Sequence, residues 1–272
     1  MYIADSHIHT LFSGDCQEKL ENIFKYAIEN KIQEITLTDH IDPDFPSGSS
    51  EFYFDIGEYL SLLMDFRKKL EGQLKINLGV EFGLQPHLIK DFNEISKLKE
   101  LDFIIGSTHC AGGKNPVEDD FFIGLTKDEA HDLYFKETLK NVRIFRDISV
   151  YGHLDFIKRY GRNVHKDFNT IDYKMHWDTI EQILKTLISN GSGLEINTSA
   201  YRYGTTEPYP NDIILKKYKE LGGEIITLGS DSHIAAHLAK DFDKAYQLLK
   251  DCGFNYYSVF HNRKPEFIKL DL

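Results

Sequence analysis

The stretch EITLTDH, residues 34–40, decides how the chain is read: a short β-branched and apolar run that ends in two ionisable side chains, Asp39 and His40. Such a run fits a strand buried on both faces, and its polar end fits the point where a strand leaves a parallel sheet. The pattern recurs. YIADSH (2–7), INLGVEF (76–82), DFIIGSTH (102–109), VYGHLDF (150–156), GLEINTS (193–199) and EIITLGSDS (224–232) each join an apolar run to Asp, Glu or His, and YYSVF (256–260) is a further candidate strand. Amphipathic stretches near 17–31, 57–73, 88–100, 126–147, 172–190, 211–222 and 240–252 alternate with them. Roughly seven or eight β/α units predict an α/β barrel, or a distorted relative of one, spanning residues 1–272 as a single domain. A doubly wound open sheet is the alternative.

Composition narrows the function classes. The 272 residues are 41% hydrophobic and 28% charged, and no run approaches the ~18 apolar residues of a membrane span. No basic region followed by an apolar run opens the chain, so no secretory signal is expected and the cytoplasm is the expected location. Cys16, Cys110 and Cys252 are odd in number and widely spaced, which suits reduced thiols better than a disulfide framework. A formal net charge of −11 works against extended nucleic acid as a partner but leaves a small phosphate possible at a locally cationic site.

In a parallel barrel the C-terminal strand ends converge on one face. His7 and His9, Asp39 and His40, Glu81, His109, His153 and Asp155, Glu195, and Asp231 and His233 would therefore meet at one mouth. Residues i and i+2 of a strand share a side, so His7 and His9 can grip one cation, and Asp231 with His233 repeats the geometry. A lone H-x-H is common in ordinary cores; its recurrence at strand after strand carries the argument. Imidazoles and carboxylates without a thiolate set suit Zn²⁺, Mn²⁺, Fe or Co. Cys110, next to His109, should face the other way.

The motifs DSHIHT, TDHID, GVEFG, GSTHC, YGHLDF and GSDSH occur in the order expected of the polymerase and histidinol phosphatase (PHP) family. The chain resembles the stand-alone phosphatases of that family from residue 5 to about 265, a late NRKPEF included. The resemblance implies a distorted (β/α)7 barrel with its active site at the C-terminal strand ends and three divalent metal ions. His7, His9, Glu81 and Asp231 would hold the first ion. Glu81 would bridge to a second, completed by His109 and His153, and Asp15, His40 and His233 would bind the third. Asp15 stands where some relatives carry histidine. The implied reaction is hydrolysis of L-histidinol phosphate to L-histidinol and phosphate in histidine biosynthesis, with a hydroxide bridging the first two ions as the attacking group. Three divalent ions set against Asp15, Glu81, Asp231, that hydroxide and a phosphate dianion sum to formal neutrality.

The remaining candidates follow the same motifs. Arg159 is the first choice to fork onto phosphate oxygens, with Arg162 and Arg263 behind it. Asp155 is expected to orient His153. Asp39 would orient His40, act as an acid near the third ion, or cap a helix. Asp15, Asp39, Asp155 and Arg159 are thus the catalytic candidates. Glu195 would meet the substrate ammonium and Asn197 or Tyr201 its imidazole, unless Glu195 and Asn197 merely support the barrel mouth. Residues 42–55 form a lid or a packed surface loop. The rival readings are a phosphoesterase for nucleotides or short oligonucleotides, a barrel amidohydrolase, and a metal-binding regulatory domain.

Overall fold

The computed structural model describes residues 2–46, 52–161 and 163–270. Its frame is a nearly closed barrel of parallel strands, in the order β1 (Ala4–Ile8), β2 (Glu34–Leu37), β4 (Lys75–Gly83), β5 (Phe103–Ser107), β6 (Val150–Tyr151), β7 (Gly193–Asn197) and β8 (Ile226–Gly229). A short β3 (His40–Ile41) continues the line of β2, because both pair with β4 at the same offset: Glu34 faces Lys75 and His40 faces Glu81. The strand predicted over 34–40 is therefore one stave interrupted at Thr38 and Asp39. The last gap, between β1 and β8, is bridged at Ile8 and Ser232 and tied by Asp5, which accepts from Ser230 N (2.9 Å) and Ser230 Oγ (2.6 Å).

Helices cover the outside, and their sequences specify their limits. In α1 (Leu20–Glu29) the residues Leu20, Ile23, Phe24 and Ala27 are buried at helical spacing. Asp55 caps α2 (Ile56–Lys69) by accepting from Gly57 N and Glu58 N, and Arg67, Lys68 and Lys69 occupy its last turn, where they complement the helix dipole. α3 (Ile89–Ile95) is short. Thr126 and Glu129 form a capping box at the start of α4 (Lys127–Ile144), and Gly191 ends α5 (Trp177–Asn190) in the left-handed conformation. A single turn, α6 (Ser199–Arg202), then α7 (Asp212–Glu220) and α8 (Phe242–Asp251) complete the layer. No helix among the described residues is long and apolar enough to cross a membrane.

Two strand expectations change. VYGHLDF forms a strand only over Val150 and Tyr151; the chain then turns, and His153 adopts a positive φ of 26°. The candidate at 256–260 is a strand but not a stave. As β9 (Tyr256–His261) it pairs antiparallel with β10 (Lys264–Lys269). This hairpin closes the N-terminal end of the barrel. Its turn is held where Asn262 N and Arg263 N donate to the Oδ1 and backbone carbonyl of Asp102, at 2.9 and 3.0 Å. Phe260 packs on Phe103, with ring centres 5.1 Å apart, and with Ile105 and Val150 it forms a small core apart from the main one.

Truncating that plug should be felt as a core deletion. Phe260→Ala is expected to lower stability by about 3–5 kcal/mol in urea unfolding, as for other buried Phe truncations, while leaving metal binding at the far end of the barrel intact. A loss below about 1 kcal/mol would show that the hairpin does not stopper the fold.

Candidate metal centre

The strand ends deliver the expected side chains to one place. Glu81, on β4 and 1% exposed, lies at the middle. Its Oε2 is 3.2 Å from His7 Nε2, 3.5 Å from His9 Nε2 and 3.1 Å from His40 Nδ1. Its Oε1 is 3.3 Å from His109 Nε2 and 2.8 Å from His153 Nε2, and accepts from Ser107 Oγ at 2.7 Å. His7 Nε2 and His9 Nε2 are 3.0 Å apart, and Asp231 Oδ1 is 3.8 and 3.4 Å from them. On the outer side His233 Nε2 is 3.2 Å from Asp15 Oδ2, with His40 Nε2 at 3.8 Å from the same oxygen.

These separations fit metal ions. Donors about 2.0–2.1 Å from one tetrahedral ion stand roughly 3.3–3.4 Å from one another, close to the spacings within His7, His9 and Glu81 and within Glu81, His109 and His153, two groups whose donor atoms converge. His9, His40 and His233 converge likewise, as do His40, Asp42 and His109. The hydrogen-bond pattern agrees. His7 Nδ1 is 2.5 Å from Glu195 Oε1 and His9 Nδ1 is 2.9 Å from Ser13 Oγ, which directs both Nε2 atoms inward. His40 Nδ1 and Asp42 Oδ2 are buried, 3.3 Å apart, and have no hydrogen bond.

Protonation follows from the same crowding. Burial pushes the Glu81 carboxyl upward, but His7, His109 and His40 outweigh it and hold it well below the usual carboxylate range. Burial and the neighbouring His233 and His40 depress His9 to about 3, keeping it a neutral donor. His7, His40 and His109 move the other way, against burial, because carboxylates surround them; His40 rises to about 9. Protons thus balance an acidic nest that cations would satisfy.

Of the expected residues, His7, His9, Asp15, His40, Glu81, His109, His153, Asp231 and His233 all meet here. Others go elsewhere. Glu195 and Asn197 are fully buried behind the donors: Glu195 accepts from His153 N and Asn197 Nδ2 and holds His7, so its carboxylate does not reach the mouth. Asp155 does not orient His153. The turn at His153 breaks the strand alternation, and Asp155 Oδ2 instead binds Lys158 Nζ (2.8 Å) and Tyr173 OH (2.5 Å). Asp39 does not reach the His40 ring; it accepts from Thr10 N, Thr10 Oγ1 and Ser13 Oγ and so fixes the loop after β1. Arg263 lies at the opposite end of the barrel, bound to Ser149 and Asp147. The Tyr201 ring lies under Lys244, 4.5 Å from its Nζ, and is not among the cavity-lining residues. Arg162 lies outside the described residues. Cys16 and Cys110 are buried, as small core side chains.

Three residues were not foreseen. Asp42, 4% exposed, accepts from or faces His109 Nδ1 at 2.8 Å and His40 Nδ1 at 3.3 Å. It sits two residues after His40, the same spacing that links His7 to His9, so the signal was present in TDHID. Gly83 admits it: a Cβ there would lie 1.7 Å from Asp42 Oδ1. Lys158, 7% exposed, donates to Asp155 Oδ2 and the Pro208 carbonyl. Arg202 donates to the carbonyls of Ser230 (2.6 Å) and Asp231 (2.9 Å), securing Asp231 at its positive φ of 52°.

Above the donors opens a cavity of about 700 Å³. Phe45, Phe52, Phe156, Tyr160 and Tyr203 line it, with Arg159, whose guanidinium lies 3.2 Å over the centre of the Tyr203 ring. Phe45 and Phe52 come from the described ends of the 42–55 segment; residues 47–51 lie outside the described residues.

A parallel barrel whose strand ends hold converging imidazoles and carboxylates defines a metal-dependent hydrolase-type site. The PHP domain family matches residues 5–199, and the chain belongs to that family. It is 31% identical to a histidinol-phosphatase of Lactococcus lactis over 261 residues, covering 96% of this chain and 95% of that one. It is 32% identical over 271 residues to a probable histidinol-phosphatase of Clostridium acetobutylicum, with 99% and 98% covered. The crystal structure of the L. lactis histidinol phosphate phosphatase, complexed with zinc, L-histidinol and phosphate, superposes with a TM-score of 0.87 at 31% identity, covering 97% of this chain and 98% of that one. A Listeria monocytogenes structure at 19% identity shares the fold, with a TM-score of 0.74 over 89% of this chain and 99% of that one.

Because imidazoles held protonated must become neutral to ligate, metal loading should release protons. The raised pKa of His40 near 9 means that acid competes with metal through the neutral range. Zinc affinity, measured by chelator competition, is expected to rise by at least about tenfold per pH unit between roughly pH 6 and 8. A flat profile would contradict the protonation pattern.

Proposed function

We infer that the chain is a metal-dependent phosphomonoesterase that hydrolyses L-histidinol phosphate to L-histidinol and phosphate, a step of histidine biosynthesis. The observation that carries this reading is Glu81, one buried carboxylate whose two oxygens face two separate imidazole sets beneath a cavity with an arginine in its wall. The ligands of the L. lactis structure support the same substrate and favour zinc. We further propose three divalent ions: one on His7, His9, Glu81 and Asp231, one on Glu81, His109 and His153, and one on Asp15, His40 and His233. Asp42 adds a carboxylate between the second and third groups that the sequence-level charge count omits. The chain is read as one barrel domain, and its buried free cysteines suit the cytoplasm.

Divalent ions at such a site lower the pKa of water to about 7 and draw charge from phosphoryl oxygens. The chain's own residues do the rest. Glu81, Asp231 and the imidazoles fix where the phosphoryl group sits. Arg159, braced on Tyr203, offers a planar donor pair to its oxygens. Phe156 and Tyr160 shield that region from bulk water. Asp39 and Asp155 are enclosed and already bound, so neither reaches the leaving group; Asp15, at the cavity wall with a side chain 44% exposed, acts as a ligand of the third ion.

Phosphate release from L-histidinol phosphate should far exceed that from nucleoside monophosphates or a short oligonucleotide, and no amide should turn over. A preference for nucleotides would overturn the substrate. Elemental analysis separates the metal groups: Glu81→Ala should lose about two ions per chain and His109→Ala about one, each with loss of turnover. Equal losses would contradict a shared Glu81.

A further inference from the structure

Glu195 is enclosed behind His7, which leaves the positive charge of an amino-alcohol phosphate to be met by another group of the cavity. Five carboxylates line the cavity: Asp15, Asp42, Glu81, Glu118 and Asp231. Four of them are set against imidazoles, Asp15 on His233, Asp42 on His109, Glu81 between its two sets and Asp231 on His9. Glu118 differs. Among the described residues its side chain has no ion pair and no hydrogen bond, and it belongs to none of the converging donor groups.

Its backbone is nonetheless fixed. Glu118 N donates to Asn115 O at 3.1 Å, Val117 N donates to Asn115 Oδ1 at 2.9 Å, and Phe121 N donates back to Glu118 O at 3.1 Å. A bonded turn between β5 and α4 therefore places Glu118, exposed and uncommitted, in the lining of the cavity. The same cavity holds Arg159 and the donor groups suited to a phosphate. The cavity thus offers complements to two charges of opposite sign.

We propose that Glu118 is a specificity-determining residue that pairs with the ammonium of the substrate and selects phosphomonoesters of amino alcohols. This rests on the functional reading above and adds the group that recognises the alcohol end. Glu118 takes no part in bond breaking, so its removal acts on substrate binding and not on the chemical step.

The test compares wild type, Glu118→Gln and Glu118→Asp on three substrates: L-histidinol phosphate, its desamino analogue, and p-nitrophenyl phosphate. Glu118→Gln should raise KM for L-histidinol phosphate about three- to fivefold with kcat nearly unchanged, leave both amine-free substrates within about 1.5-fold, and be partly rescued in Glu118→Asp. Turnover of p-nitrophenyl phosphate reports that the fold and metal site are intact. No change on L-histidinol phosphate, or an equal change on all three substrates, would overturn the assignment. Wild type that shows no preference for L-histidinol phosphate over p-nitrophenyl phosphate would mark the failure of the functional reading itself, and the assignment would fall with it.

Discussion

A carboxylate buried to 1% exposure needs positive charge around it, and Glu81 sets the terms for the rest of the molecule. Five imidazoles, His7, His9, His40, His109 and His153, come within 3.5 Å of its oxygens. They arrive from β1, β3 and the ends of β5 and β6. No short segment could supply them, so the site exists only when the barrel is closed. Burial penalises every one of these groups separately; together with cations they satisfy one another, which makes folding, metal uptake and site assembly a single linked equilibrium.

Behind the donors stands a second ring of polar contacts that fixes their orientation. Glu195 holds His7 and the backbone of His153, Ser13 passes the hold of Asp39 on to His9, Asp42 holds His109, and Arg202 braces the backbone of Asp231. Glycines make the close approach possible. A Cβ at Gly229 would lie 2.1 Å from Glu195 Oε1 and 2.5 Å from His7 Cβ. The buried Lys158–Asp155 pair, joined by Tyr173 OH and the Pro208 carbonyl, ties three loop segments together. Partners of this kind are as much a part of a metal site as the ligands.

The fold was legible because parallel strands buried on both faces read as apolar runs, and the donors were legible because each stands where such a run ends. What escaped depended on local departures from that regularity. His153 turns out of the strand, so the alternation that would have placed Asp155 beside it does not apply. Glu195 ends an apolar run like the ligands, but its carboxylate is taken up by His7 and the backbone of His153, and a contact between distant strands is not written in one strand's sequence. Asp42 obeys the same two-residue spacing as His7 and His9 and was hidden by being grouped with the loop that follows it. Strand β9 has a stave's composition, and only its antiparallel partner, which begins three residues after it ends, separates a plug from a stave.

The proposed metal centre turns on one carboxylate, Glu81, serving two adjacent cations. An anomalous-scattering map from crystals of the zinc- or manganese-loaded protein tests it most directly. Three peaks are expected, two of them about 3.5–4 Å apart and one on each oxygen of Glu81, the first also bound by His7 and His9 and the second by His109 and His153. A single peak, or peaks that do not touch Glu81, would contradict it.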